Sequence, residues 1–186
     1  KNPVNYAWGL GTIGLLLGSV PAGKKKTFAF AACFHRAGIV TTGMKARYHY
    51  TKYFSDLEAV ADYALTNFRT LKQRGTVFDR RFQRSTLNPE RKFMLAQAIH
   101  SYFGSTQLLD VGGKPMWIVN EGEYRMINTF DLTVDQLFFE IAFNPWTVAN
   151  ELDWFSMRDV EEDKRGFSCT HDMGVANHFS RPCHSV

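Results

Sequence analysis

One short charged segment between two apolar segments constrains the fold of this chain more than any other feature. Residues 116–119 are apolar and run directly into residues 120–131, which hold three carboxylates and an arginine, and a strongly apolar helical pattern follows. A charge set between buried segments needs a partner or a chemical task, because burial of an unpaired charge is costly. The chain must therefore bring this segment either to a pocket or to its surface.

Two interpretations fit this segment. In the first, Glu121 lies at the bottom of a sugar-binding pocket and attacks an anomeric carbon. In the second, Glu121, Glu123 and Arg125 form a surface ion pair at an exposed strand end. In an extended chain Glu121 and Glu123 point to the same face. Glu-x-Glu alone favours the second interpretation, because charged loop residues are usually solvated, and only the longer string around it shifts the balance.

Length and composition indicate a globular protein. The chain has 186 residues, of which 45% are hydrophobic and 15% aromatic. That is enough for one domain with a sizeable core or for parts of two domains. The sequence begins at Lys1 without a methionine and ends at Val186. We therefore expect a piece of a longer protein.

The charge pattern argues against nucleic acid and membrane partners. The formal net charge is +4, and much of it comes from residues 24–26 and 74–92. We interpret the second cluster as a solvated helix face instead of a phosphate-binding face, because no aromatic-interleaved nucleic-acid motif accompanies it. The apolar residues 10–20 are too few to span a bilayer, which takes about 20 residues. We expect neither a nucleic acid partner nor a membrane.

The cysteines and histidines predict neither a disulfide framework nor a metal site. Cys33, Cys169 and Cys183 are an odd number without close pairing. This pattern suits a reducing compartment, so we predict a cytoplasmic protein. The cysteines and histidines of residues 167–184 match the spacing of no zinc finger or ribbon. No metal and no cofactor is therefore expected.

The first part of the chain has strand signals, and helix signals follow. Apolar runs predict buried strands at residues 12–18 and 27–34, and we interpret residues 1–53 as the last strands of a sheet domain. Ser55 and Glu58 then form a capping box. Apolar residues at helical spacing follow and predict a helix that ends near Arg74 and Gly75.

A second helix and a hairpin are predicted next. The helix has Asn88 as its cap and Pro89 at its first position, and it stops at Gly104. His100 on its apolar face is interpreted as a core histidine, because no catalytic motif surrounds it. Two apolar strands flank a Gly-Gly turn in residues 106–119, which predicts a β-hairpin that delivers Glu121.

Two further helices are expected to pack as an antiparallel pair. Thr133 and Gln136 form a capping box, so a helix begins between Asp131 and Thr133. It ends at Asn144, because the residue before a proline avoids helical geometry, and the proline opens the next helix. Consecutive apolar helices with short links are typical of a helical barrel. The charged residues 156–166 are predicted to form a surface loop.

Six strings, in order along essentially the whole chain, carry a likeness to a known family. They are residues 8–12, 38–43, 120–125 (Asn-Glu-Gly-Glu-Tyr-Arg), 128–136 (Asn-Thr-Phe-Asp-Leu-Thr-Val-Asp-Gln), 144–148 and 170–177. Together they resemble glycoside hydrolase family 52, whose members are mainly retaining β-xylosidases. Strings of this length are far more specific than Glu-x-Glu alone.

The resemblance implies an N-terminal β-sandwich followed by an (α/α)6 barrel, and hence an α+β multidomain fragment. Residues 1–53 are then the C-terminal part of the β-sandwich domain, and residues 54–186 are the N-terminal part of the barrel, which is the catalytic domain. This division matches the switch from strand to helix signals. Glu121 matches the family's nucleophile, and the acid/base aspartate is expected beyond Val186.

The resemblance also implies substrate-binding residues. In the related family 116 β-glucosidases an aspartate and a histidine grip sugar hydroxyls, and local similarity matches them to Asp131 and His171. Three further substrate-binding residues are expected in the pocket, namely Arg125, Glu123 and Asp172. Three aromatic residues are interpreted either as sugar-stacking faces or as core: Trp117, Tyr124 and Trp146.

We therefore predict a xylan 1,4-β-xylosidase that removes xylose from xylo-oligosaccharides by a retaining double displacement. One alternative is a non-catalytic carbohydrate-binding or scaffold fragment, and another is β-glucosidase specificity. Without the acid/base aspartate, the isolated chain is expected to be nearly inactive on unactivated xylosides. A homodimer of the full-length enzyme is a further hypothesis.

Overall fold

The computed structural model describes residues 18–40, 44–121, 126–157, 161–163 and 166–174. Two compact units are distinguished, residues 1–30 and residues 31–186. In the first unit, residues 18–30 contain a turn in which Lys24 N donates to Pro21 O at 3.0 Å, and Gly23 has a positive φ of 71°. All secondary-structure elements among the described residues belong to the second unit.

The predicted strand at residues 27–34 is wrong. These residues form no helix or strand, and Phe30 and Phe34 are 79% and 84% exposed. A strand is stable only when a neighbour pairs with its backbone, and no strand among the described residues pairs with this one. The predicted strand at residues 12–18 lies, apart from Gly18, outside the described residues.

The second unit contains five α-helices and five strands among its described residues. The helices are α1 (Leu57–Thr66), α2 (Phe68–Gln83), α3 (Pro89–Ser105), α4 (Phe130–Phe143) and α5 (Pro145–Ser156). The strands are β1 (Ala46–Tyr48), β2 (Thr106–Val111), β3 (Lys114–Val119), β4 (Glu161–Asp163) and β5 (Gly166–Ser168). The fold of the described residues is therefore α+β.

The main sheet is antiparallel, with strand order β1-β2-β3. The predicted β2–β3 hairpin is confirmed, with Val111 opposite Lys114. Gly112 and Gly113 form its turn with φ values of 58° and 94°, which glycine adopts without steric cost. Ala46 in β1 pairs with Val111, so a strand from before residue 54 joins the hairpin. The β-sandwich, the barrel and the division near residue 54 stay predictions.

A second, two-stranded sheet lies in the segment that the sequence predicted to be a loop. Strands β4 and β5 pair antiparallel, with Glu161 opposite Ser168. Gly166, the first residue of β5, has a φ of 128°. The prediction of a loop is therefore wrong for Glu161–Asp163, because backbone pairing with β5 outweighs the low strand preference of charged residues.

The start of α1 differs from the prediction by one residue. Asp56, not Ser55, is the cap, since its Oδ1 accepts a hydrogen bond from Ala59 N at 2.8 Å. The Ser55 hydroxyl donates to Asp56 Oδ2 at 2.7 Å. The bonds from Ser55 and Ala59 hold the pKa of Asp56 below its usual value. Either residue type caps well, and the sequence alone did not distinguish these neighbours.

The single helix predicted to end near Gly75 is two helices. Asn67 separates α1 from α2, and its side-chain amide donates to Tyr63 O at 2.9 Å. An asparagine that bonds a carbonyl of the preceding turn competes with the helix ladder. Helix α2 then continues through Gly75 to Gln83. The apolar spacing persists across Asn67, so the periodicity did not reveal the break.

Helix α3 begins as predicted. Asn88 accepts from Arg91 N at 3.0 Å and Pro89 occupies the first turn. His100, however, is exposed, so its assignment to the core is wrong. Its neighbours on α3 are also largely exposed among the described residues, because this helix contributes little to the buried core of the segment.

Helix α5 is fixed against β3 by hydrogen bonds as well as by apolar contact. Trp117 N donates to Asn150 Oδ1 at 2.7 Å, and Trp154 Nε1 donates to Pro115 O at 3.1 Å. The buried core takes residues from both elements and from the sheet: Ala46, Leu109, Met116, Ile118, Ile127, Trp154, Phe155 and Met173. This packing fixes the C-terminal end of β3, where Glu121 lies. None of the described helices has the length and apolar character needed to cross a bilayer.

Candidate active site

Glu121 lies at a chain reversal directly after β3. Its amide donates to Met126 O at 2.8 Å, and Asn120 forms an isolated bridge with Ile127. Asn120 is itself tied to the end of α3, because its backbone and side-chain amides both donate to Ser105 O at 2.9 Å. The half-buried Glu121 side chain is thus presented by a well-bonded backbone. Glu123 and Arg125 lie outside the described residues.

A cavity of about 610 Å³ opens beside Glu121, which is within the range of small-molecule sites. Helices α3 and α4 form its walls and the end of β3 forms its floor. Its lining residues are Leu95, Ala98, Ile99, Ser101, Tyr102, Ser105, Val119, Asn120, Glu121, Leu132, Asp135, Gln136 and Phe139. The surface is mostly apolar, and Glu121 and Asp135 are its carboxylates.

Thr129 contacts Glu121 directly. Its hydroxyl donates to Glu121 Oε2 at 2.9 Å, and the residue is 1% exposed. Thr129 immediately precedes α4 and is its N-cap. The predicted capping box is therefore wrong, since Thr133 lies inside the helix and its hydroxyl donates to Glu151 Oε2 at 2.7 Å.

The structure brings three predicted substrate-binding residues together at the start of α4. His171 Nε2 lies 3.9 Å from Asp131 Oδ1, and its Nδ1 lies 3.2 Å from Asp172 Oδ2. The Asp131 side chain is 72% exposed and that of His171 is 48% exposed, whereas that of Asp172 is 3% exposed. Asp172 Oδ1 also accepts from Gly174 N at 2.7 Å. Asp131 and His171 thus face solvent, and the buried Asp172 contacts the His171 ring at Nδ1, whereas Asp131 lies near Nε2 of the same ring.

Three backbone hydrogen bonds join the segment that contains His171 and Asp172 to the residues near Glu121. Phe130 N donates to His171 O at 2.7 Å, and Phe130 directly follows the residue that holds Glu121. Ile127 adds two bonds, from its amide to Gly174 O at 3.0 Å and to its carbonyl from Met173 N at 2.8 Å. All of these groups therefore belong to the same end of α4.

Asn128 is the buried support of this region. It is 1% exposed and has a φ of 47°, a conformation that asparagine tolerates better than most residues. Its Oδ1 accepts from Val119 N at 2.7 Å, and its Nδ2 donates to Trp117 O at 2.9 Å. The side chain therefore satisfies backbone groups at the end of β3, just before Glu121.

Replacing Asn128 with alanine is expected to lower the free energy of unfolding by about 3 kcal/mol, because two buried backbone groups lose their partners and the positive φ becomes strained. Asn128→Gly is the matched control, since it removes the same bonds without the strain and is expected to cost about 1 kcal/mol less. Urea unfolding followed by tryptophan fluorescence measures both. Equal stability of Asn128→Ala and the wild type would contradict this role.

Two buried carboxyl groups lie behind the cavity wall. Glu140 in α4 is 1% exposed and Glu151 in α5 is 0% exposed. The Tyr102 hydroxyl donates to Glu140 Oε1 at 2.5 Å. Glu140 Oε2 and Glu151 Oε1 are both buried without a donor among the described residues, unless one of the two carboxyl groups carries a proton.

Burial makes Glu151 the carboxyl group that keeps the proton. The pKa of Glu151 is raised to about 8, chiefly by loss of hydration and in addition by the neighbouring Glu140, although the Thr133 hydroxyl opposes both. Burial and the bond to Glu140 likewise raise the pKa of Tyr102 well above its usual value. At neutral pH a protonated Glu151 can donate to Glu140, which supplies the donor that both free oxygens lack.

Comparison with known proteins assigns the chain to a family. Residues 1–186 match the family model described as Glycosyl hydrolase family 52. The chain belongs to glycosyl hydrolase family 52. A β-xylosidase of Geobacillus stearothermophilus is 52% identical over 97% of this chain and 27% of the relative's length. A second β-xylosidase of that organism is 47% identical over 91% of this chain and 29% of the relative. This family 52 chain therefore spans less than a third of these relatives.

The predicted aromatic sugar-stacking faces of this family 52 chain remain untested. Trp117 and Trp146 pack edge to face with their ring centroids 5.8 Å apart, and Trp146 is 44% exposed. Tyr124 lies outside the described residues. No cluster of three or more potential metal ligands occurs in the part of the chain that the structure describes.

Sequence reasoning missed the polar residues that support Glu121 in this family 52 chain. Thr129 and Asn128 act through partners that only the chain reversal brings close, so no local pattern identifies them. Glu151 lies between the polar residues Asn150 and Asp153 and carried no signal, whereas Glu140 did carry one, since it interrupts the apolar run of residues 137–143. A carboxylate in such a position is either exposed at the edge of the apolar stripe or paired within the core.

Proposed function

We propose that the protein removes β-linked xylose from xylo-oligosaccharides by a retaining double displacement, with Glu121 as the nucleophile. The observation that carries the proposal is the position of Glu121, a half-buried carboxylate at the floor of a cavity with one oxygen held by Thr129. Membership of family 52 supports a glycoside hydrolase. The names of the two similar β-xylosidases support xylose as the sugar.

In the first step a Glu121 oxygen bonds to the anomeric carbon while the bond from that carbon to the leaving oxygen breaks. The product is a covalent xylosyl ester of Glu121. In the second step water attacks the same carbon, and the Glu121 carboxylate leaves. Both steps need a second carboxyl group about 5–5.5 Å away, as acid and then as base. We place that group, an aspartate, outside residues 1–186.

Asp131 and His171 are proposed to bind ring hydroxyl groups of the xylose. Both side chains face solvent next to the start of α4, and hydrogen bonds to them that tighten as the ring flattens accelerate the reaction. Asp172 is buried and already bonds His171 and Gly174 N, so its proposed role is to orient His171. Glu123 and Arg125 are proposed to lie in the pocket wall.

The experiment that tests this function is intact-mass labelling of the full-length protein with a 2-fluoro-xyloside that has a dinitrophenolate leaving group. Such a leaving group departs without acid assistance, so the label reports the nucleophile alone. We expect one added 2-fluoro-xylosyl group, mapped by peptide sequencing to Glu121. The matched control is Glu121→Gln, which keeps the side-chain shape and is expected to take no label.

The other outcomes of the labelling are equally informative. A label on Glu123 keeps the retaining mechanism and overturns the assignment of Glu121. No label on a folded sample that still binds xylo-oligosaccharide favours a non-catalytic carbohydrate-binding protein. Faster labelling by the matched 2-fluoro-glucoside contradicts xylose specificity and favours β-glucosidase activity.

A further inference from the structure

Thr129 uses its side chain differently from the capping residues of α1 and α3. In α1 and α3 the cap side chains, Asp56 and Asn88, accept backbone bonds from Ala59 N and Arg91 N. In α4 the cap residue Thr129 forms no such bond. Its hydroxyl proton points instead to Glu121 Oε2 at 2.9 Å. A side chain that normally stabilises a helix start is here directed at a carboxylate.

The surroundings fix Thr129 in this orientation. Its carbonyl accepts from Thr133 N at 3.1 Å, and the next amide, that of Phe130, donates to His171 O at 2.7 Å. The Thr133 hydroxyl is in turn bonded to the buried Glu151. Thr129 is 1% exposed, and a β-branched side chain has few rotamers. The hydroxyl therefore has little freedom to leave Glu121.

We propose that Thr129 is the positioning residue of the nucleophile: it holds Glu121 Oε2 and leaves Oε1 free to attack the anomeric carbon. This assignment rests on the proposed function of Glu121. A hydrogen bond to a carboxylate is stronger than one between neutral groups, and it selects one rotamer of Glu121. Small errors in the position of an attacking atom are costly, because the reacting atoms must already be close and aligned.

The bond to Thr129 persists through both chemical steps. When Glu121 Oε1 bonds to the anomeric carbon and the leaving oxygen departs with its electron pair, Oε2 becomes the carbonyl oxygen of the ester and still accepts from Thr129. When water attacks the same carbon, the electron pair returns to the Glu121 carboxylate and its negative charge is stabilised by the same hydroxyl. Thr129 therefore acts in glycosylation and in deglycosylation without exchanging a proton.

The test compares Thr129→Val with Thr129→Ser in the full-length protein, using dinitrophenyl β-xyloside. Valine keeps the shape and removes the donor, so kcat/KM is expected to fall about 10- to 100-fold, the usual effect of losing a bond to a charged group. Serine restores the donor and is expected to recover most of the activity.

A melting curve of each variant detects a folding defect, and Thr129→Ala serves as a second variant without the hydroxyl. If Thr129→Val does not fold, the smaller alanine gives the same kinetic comparison. A purely structural role would lower activity and melting temperature together, and would give serine, which lacks the methyl group, a similar loss. Either of these results overturns the proposal, and loss of activity by Thr129→Val at an unchanged melting temperature with recovery by serine supports it.

Failure of this inference is distinguishable from failure of the proposed function. If the wild-type protein takes no 2-fluoro-xylosyl label on Glu121, the proposed function fails, and the positioning role fails with it. If the wild-type protein is labelled on Glu121 and Thr129→Val is labelled at the same rate, only the role of Thr129 fails.

Discussion

Replacing Glu121 with glycine is expected to lower kcat/KM for dinitrophenyl β-xyloside by about 10⁴-fold or more in the full-length protein, as loss of a covalent nucleophile does in other enzymes. The leaving group needs no proton, so the loss reports the nucleophilic step alone. Glycine also leaves a space where the carboxylate had been. Azide is expected to enter that space and to restore turnover of the activated substrate.

The product of the rescued reaction identifies the face of attack. Azide in the place of Glu121 attacks the face opposite the leaving group, so the product is expected to be α-xylosyl azide, identified by its proton coupling constants. Glu121→Gln is the control, because its amide fills the space and excludes azide. Retention of activity by Glu121→Gly, or formation of the β-azide, would contradict the assignment of Glu121 as nucleophile.

The second large expected effect is a dependence of stability on pH, which comes from the buried pair of Glu140 and Glu151. The unfolded chain releases the Glu151 proton near its ordinary pKa of 4.5, whereas the folded protein keeps it up to about pH 8. Between these values the folded state binds more protons, so the free energy of unfolding decreases as pH rises. The stabilisation is complete below about pH 4.5 and is lost as pH rises through about 8.

Glu151→Gln is expected to remove this dependence. The amide is neutral at every pH, its oxygen can accept from Thr133, and its NH₂ group can donate to Glu140 as the protonated acid does. The variant should melt close to the wild type at about pH 5 and at a higher temperature than the wild type at about pH 8.5. Melting temperature measured across this range by circular dichroism gives the comparison.

An exposed carboxylate on the same helix provides the matched control. Asp153 lies in α5 and faces solvent, so Asp153→Asn is expected to keep the wild-type slope of stability against pH. If Glu151→Gln keeps that slope too, the proton resides on another group and the pair has a different protonation.

Local signals predicted those elements whose determinants are adjacent in sequence. Asn88 and Pro89 define the start of α3 because a cap acts within one turn, and the two glycines define the β2–β3 turn because only backbone conformation matters there. The local similarity to the family 116 β-glucosidases named Asp131 and His171 together, and these residues lie 3.9 Å apart in the structure; their substrate-binding role stays a prediction.

Local sequence patterns gave wrong predictions where a residue distant in the sequence determines the structure. Thr133 has the spacing of a helix cap, yet Glu151 in the next helix takes its hydroxyl. Residues 27–34 are apolar enough for a strand, but an apolar run does not supply the strand that must pair with it. The role of Thr129 likewise depends on a chain reversal that places it beside Glu121, and no periodicity encodes that reversal.

The pairing of residues 127–130 with residues 171–174 also affects when the site can form during synthesis. Asn128 and Met173, which contact each other, are 45 positions apart. Glu121 and β3 therefore leave the ribosome well before residues 171–174, which complete their surroundings. Contacts between distant residues form slowly because a long loop must close first. Until synthesis has passed Gly174, the nascent chain consequently lacks the bonds that join residues 171–174 to residues 127–130, and the order of translation delays assembly of the site.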